Sequence, residues 1–161
     1  MLNYLQHAAK LNRGYLGELV ADIEQAEMVE QPQPGMNHPA WILAHLTVSA
    51  GHVVSLLGGS PPVPEGWNER FGHGSKLSAD PADFPDKQTL LEAYQASHQA
   101  MVESLGSATD EALAAPVPIE ELREMMPTVG DAVFFMATAH EASHLGQLSA
   151  WRRAKGRAPL F

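Results

Sequence analysis

The chain contains no cysteine. That absence excludes disulfides, thiolate metal ligands and a cysteine nucleophile, so any metal site must draw on His, Asp and Glu. Positive charge is also scarce: 10 Lys and Arg stand against 19 Asp and Glu, for a formal net charge of -9. Such a balance disfavours a nucleic-acid backbone or an anionic membrane as partner. The one basic cluster, Arg152, Arg153, Lys155 and Arg157, falls at the end of a helical pattern, where cations complement the helix dipole. No apolar run reaches the roughly eighteen residues of a membrane span. The N-terminus MLNYLQHAAK lacks the basic start, apolar block and small-residue cleavage site of a signal peptide. A cytoplasmic protein is the expectation. Strand signal is slight, and no internal repeat is visible.

What the chain does have is length enough for a core, helical periodicity and histidine. Its 161 residues, 45% of them apolar, fit one domain spanning 1–161. Periodicity predicts a first helix from about Leu2 to Met28, with Leu5, Ala8, Ala9, Leu16, Leu19 and Ile23 on one stripe. QPQPG then breaks the chain, and a second helix is expected from Asn37 as N-cap, with Pro39 in its first turn, to Gly58–Gly59. The Pro- and Gly-rich stretch from Gly58 to Pro85 reads as a long connection, of the kind that crosses a fold or covers a site. A third helix follows from about Asp86, then a short helical turn in SATDEALAA and an irregular PVPIEELREMMP. The fourth helix starts at Thr128, paired with Asp131 as in a capping box, runs to Lys155 and stops at Gly156. Four long helices with a crossover between the second and third predict an all-α four-helix bundle.

On the fourth helix the apolar stripe is Val133, Met136, Ala137, Leu148 and Trp151, and His140 and His144 fall on it. Residues four apart lie one above the other on a helix, so two imidazoles can converge on one ion. An HxxxH pair alone leaves open whether it is a ligand pair or two hydrogen-bonded core histidines. His45, on the side of the second helix that carries Ile42, Leu46 and Val53, adds a third inward imidazole. Buried ring nitrogens need partners, and three neutral imidazoles are a common shell for Zn²⁺ or Ni²⁺ that leaves a position for water or substrate. His52 lies two turns from His45, about 10.5 Å along the axis, and is expected to line a pocket, to support the ligands from behind, or to be plainly buried. His7, His38, His73 and His98 are expected at the surface or at caps.

HEASH also spells HExxH, in which the Glu serves as general base of a zinc protease. The rest of that pattern is missing. Gln147 and Ala150 occupy the positions where an extended protease motif needs Gly and His, and no Asp or Glu follows Glu141. Glu141 keeps two readings: a group beside the metal that orients or deprotonates a bound water or thiol, or a plain polar contact one step round the helix.

The lone histidine within HPAWILAHL, the stretch HEASHLGQLSAWRR and the closing KGRAPLF resemble the DinB/YfiT-like superfamily of bacterial metal-binding bundles. The resemblance covers nearly the whole chain. It implies an up-down-down-up bundle, frequently a homodimer, and a divalent ion held by three histidines, here His45, His140 and His144. Members of the superfamily include S-transferases that use low-molecular-weight thiols such as bacillithiol or mycothiol, and a mycothiol-dependent isomerase. A metal-dependent thiol S-transferase acting on a small molecule is therefore the leading expectation, with a hydrolase as the nearest variant and a non-catalytic metal-binding or sensing bundle as the alternative. In that scheme Trp41, Trp67 or Trp151 would wall a substrate pocket, or simply fill the core. Arg152 or Arg153 would pair with a cosubstrate carboxylate, or serve as helix-end charges. The segment from Trp67 to His73 would cover the metal, or form a surface loop.

Overall fold

The structure, a computed structural model, describes residues 2–160. Among them every regular element is helical, and the one strand-like feature is an isolated antiparallel bridge between Pro116 and Thr128. The all-α expectation therefore holds.

Helix α1 spans Leu2–Val20 and buries Leu5, Ala9, Leu16, Leu19 and Val20. It stops well short of the expected Met28. Side chains from other helices claim the carbonyls that would have continued it: Arg152 Nη1 donates to Leu19 O at 2.7 Å, and Lys87 Nζ donates to Ile23 O at 2.7 Å. The apolar stripe nevertheless persists through a 3₁₀ turn at Gln25–Glu27, with Ile23 and Met28 both buried.

Helix α2 spans Pro39–Leu56, with His38 rather than Asn37 as N-cap. His38 Nδ1 accepts from the Trp41 amide at 3.2 Å, satisfying one of the free donors of the first turn. By length and composition α2 is long and apolar enough to cross a membrane, yet 83% of it is buried inside the fold, the pattern of a core helix. Its Thr47 and Ser49 are tolerated there because each hydroxyl donates to the carbonyl four residues back, at 2.8 Å.

The long connection after α2 carries a short helix α3, Trp67–Phe71, and a 3₁₀ turn at Pro81–Asp83. It is laced to one face of α2 by three aromatic N–H groups. Trp41 Nε1 donates to Ser75 Oγ at 3.2 Å, His38 Nε2 to Ser78 O at 2.7 Å, and His45 Nδ1 to Phe71 O at 2.6 Å.

Helix α4, Lys87–Ser107, is capped by Asp86, and the short α5, Asp110–Ala114, by Thr109. Helix α6, Val129–Phe135, opens with the expected Thr128–Asp131 capping box. The expected unbroken fourth helix is interrupted by a π turn at Met136–His140, after which α7 runs from Glu141 to Ala154. Gly156, at φ 77°, ends it in the left-handed conformation that glycine adopts without penalty.

Helix α2 packs on α4, and α1 packs on both α4 and α7. Their buried residues form two apolar clusters, one centred on Leu16, Ile42, Leu90, Leu148 and Trp151, the other on Ala9, Val53, Met101, Leu105 and Val133. Each long helical stretch also contributes to a polar layer. Asn12 comes from α1, His45 and Ser49 from α2, Ser97 and His98 from α4, and His140, Glu141 and His144 from the π turn and α7. Polar groups at that depth cost folding free energy unless they find partners.

Candidate metal centre

His45, His140 and His144 meet in this layer, with one ring nitrogen from each within 4.8 Å of the others. His45 and His144 are buried and His140 is partly so. The Nε2 atoms of His45 and His140 lie 3.2 Å apart. Two nitrogens bound at about 2.0–2.1 Å to a tetrahedral ion stand roughly 3.3 Å from each other, so this pair has the right separation for a shared ion.

Tautomers follow from the outer partners. His45 Nδ1 gives its proton to the Phe71 carbonyl, and His144 Nδ1 gives its proton to Gln147 Oε1 at 3.0 Å, which leaves each Nε2 with a free lone pair. Gln147 Oε1 also accepts from Asn37 Nδ2 at 2.9 Å, so the amide is held from a second direction. Burial, reinforced by the neighbouring imidazoles, pushes His140 down to about 4, and burial with the nearby His45 does the same for His144. His45 is lowered as well, again mainly by burial. The three rings are therefore neutral near pH 7, the form that ligates. Trp41 stacks on His45, with ring centroids 4.5 Å apart and planes within 8°, and Phe135 stands 5.9 Å from His140. The group could hold a metal ion.

A family model for the DinB superfamily matches residues 8–148, a span that contains all three histidines. The chain belongs to the DinB superfamily. No curated protein and no solved structure gives a significant match.

Within this DinB-superfamily chain Glu141 is buried beside the triad but turned to other partners. Its Oε1 accepts from Tyr94 OH at 2.8 Å, and its Oε2 from Asn12 Nδ2 at 3.0 Å. The Tyr94 hydroxyl is held protonated, its pKa raised by burial and by the adjacent Glu141 charge. His98 Nε2 stands 3.2 Å from the same Oε1, off the line that a hydrogen bond needs, and neither of its ring nitrogens has an aligned partner.

Two sequence-based expectations are corrected here. His98, expected at the surface or a cap, is wholly buried. The signal was present, because position 98 falls on the same stripe of α4 as Leu90, Tyr94, Met101 and Leu105. His52, expected to line a pocket or to be buried, is exposed and bonds the Asn68 side chain. His38 is a cap as expected but has no exposed surface, since the connection folds over it.

Other candidates sort simply. Trp41 lines the histidine group, whereas Trp67 packs edge-on against Phe71, and Trp151 is fully buried with its Nε1 donating to Glu30 O at 2.7 Å. Arg152 is buried and committed to Asp22 and Leu19 O, while Arg153 reaches Ser149. His7 and His73 are exposed.

Proposed function

We propose that the chain holds one divalent ion, zinc or nickel, on His45, His140 and His144, and acts as a metal-dependent enzyme, most simply a low-molecular-weight-thiol S-transferase, with a hydrolase as the nearest variant. The observation that carries the reading is the convergence of three neutral imidazole nitrogens, two of them fixed in orientation by acceptors behind the ring. A bound ion of this kind lowers the pKa of a coordinated thiol or water and so supplies a nucleophile near neutral pH. The protein's own residues orient two of the rings through Phe71 O and Gln147, and Trp41 and Phe135 give the site apolar flanks. With no cysteine in the chain, a nucleophilic sulfur must arrive with a small-molecule cosubstrate.

The same reading includes a single bundle with up-down-down-up connectivity, supported by the packing of α2 on α4 and of α1 on α4 and α7. It also includes residence in the cytoplasm and a homodimer, the latter supported by exposed apolar side chains at Tyr4, Leu11, Phe134 and Phe135. A second reading, a non-catalytic metal-binding or sensing bundle, has one observation in its favour. Both oxygens of Glu141, the acid nearest the triad, accept from Asn12 and Tyr94 and so face away from the imidazoles.

Elemental analysis of tag-free wild type and His45→Ala tests the metal. About one ion per chain in the wild type, lost in the variant, is the expected result, and equal metal content in both would sink the reading. Turnover of a thiol with an electrophile by the loaded protein then separates enzyme from binder.

A further inference from the structure

Two of the three triad rings are aimed by a hydrogen bond behind the ring, and the third is not. His140 Nδ1 is buried and has no hydrogen-bond partner among the described residues. Nothing behind the ring fixes its direction, and its polar contact, Nε2 to His45 Nε2 at 3.2 Å, lies on the side that faces the other imidazoles. It also sits at the last position of the π turn, where the regular α-helical hydrogen-bond ladder is interrupted. What is fixed is the next residue. Glu141 is held by Tyr94 from α4 and by Asn12 from α1, on two oxygens at 2.8 and 3.0 Å, with His98 against it.

We infer that Glu141 is the positioning residue of His140: its carboxyl group, clamped between α1 and α4, fixes the backbone that carries the unsupported ring. The inference rests on the metal reading above and gives the HExxH glutamate a task that is neither proton transfer nor ligation. The triad thus has two kinds of support. His45 and His144 are held through ring nitrogens, and His140 is held through the main chain. The acceptor geometry matters here and the negative charge does not. A glutamine at 141 still offers an oxygen to Tyr94, and its amide N–H₂ meets Asn12 once the Asn12 amide turns its oxygen inward. Alanine offers neither contact.

The test uses Co²⁺ as the probe on wild type, Glu141→Gln, Glu141→Ala and Tyr94→Phe, with affinity measured by chelator competition and geometry by visible d–d absorption. Glu141→Ala and Tyr94→Phe should each bind one ion about 10–100-fold more weakly, with an altered d–d spectrum. Glu141→Gln should remain close to wild type on both readouts. Wild-type affinity in Glu141→Ala and Tyr94→Phe would overturn the inference. So would a Glu141→Gln protein as weak as Glu141→Ala, which would show that charge rather than position matters. Should Glu141→Ala fail to fold, Tyr94→Phe and Glu141→Gln decide alone. Imidazole ¹⁵N shifts of the metal-free proteins supply a readout that needs no ion. Tyr94→Phe should move the His140 resonances, and with them the His45 Nε2 that touches the ring, more than those of the Gln147-held His144; unmoved His140 resonances would refute positioning. A wild type that binds no Co²⁺ would overturn the metal reading, and these shifts would still decide the role of Glu141.

Discussion

His144 and Gln147 are joined by a 3.0 Å hydrogen bond from imidazole Nδ1 to amide Oε1, one turn apart on α7. The same oxygen accepts from Asn37, just before α2, so a single glutamine ties the ring of one helix to the start of another. Replacing Gln147 with Ala frees the His144 ring to rotate. Metal affinity should fall about 10–100-fold while the site still saturates at one ion per chain. Competition titration against a chromophoric chelator measures this, and an unchanged dissociation constant would show that the amide does not orient the ligand.

His38 should give the protein an acid-sensitive hinge between α2 and the connection. Burial lowers its pKa below 6.5, against the opposing effect of its bond to Ser78 O. With the folded value below the unfolded one, the unfolded chain binds more protons between the two. The contribution of His38 is therefore constant above about pH 6.5 and declines as pH falls from there toward the folded value. Protonating Nδ1 also removes the acceptor that caps α2. His38→Asn retains a capping oxygen and does not titrate. Its melting temperature should fall less steeply than that of wild type between about pH 6.5 and 5; parallel curves would refute the assignment.

Two glycines should respond to alanine in opposite directions. A Cβ at Gly51 would lie 2.3 Å from Val63 Cγ2 and 3.2 Å from Pro61 Cβ, where the connection crosses α2. Gly51→Ala should cost about 1–3 kcal/mol of stability through overpacking. Gly146 lies within α7 with open space around its missing Cβ. Gly146→Ala should stabilise the protein by roughly 0.5–1 kcal/mol, the helical preference of alanine over glycine. Urea denaturation of the metal-free proteins checks both, and a common sign would contradict the packing described.

Local rules made much of this molecule legible in advance. Proline at the start of α2, the Thr128–Asp131 box, the helix start near Asp86 and the Gly156 stop act within a turn of themselves, so they can be read from neighbouring letters. The stripe on the fourth helix placed His140 and His144 on one face for the same reason, and the pattern around His45 put a third imidazole inward. Four-residue spacing is a property of the helix and survives any packing.

What only the tertiary structure decided is which distant groups meet. Helix α1 ends at Val20 because Arg152 and Lys87, far along the chain, take its carbonyls. His98 is interior because α1 and α2 pack on α4, and Glu141 faces Tyr94 and Asn12 rather than the triad. The tautomer of His45 is set by a carbonyl 26 residues away, on a connection with no period to read. Periodicity assigns a face to each side chain, but partners across faces are chosen by how helices dock. Hydrogen bonds over such separations leave no local mark in the sequence.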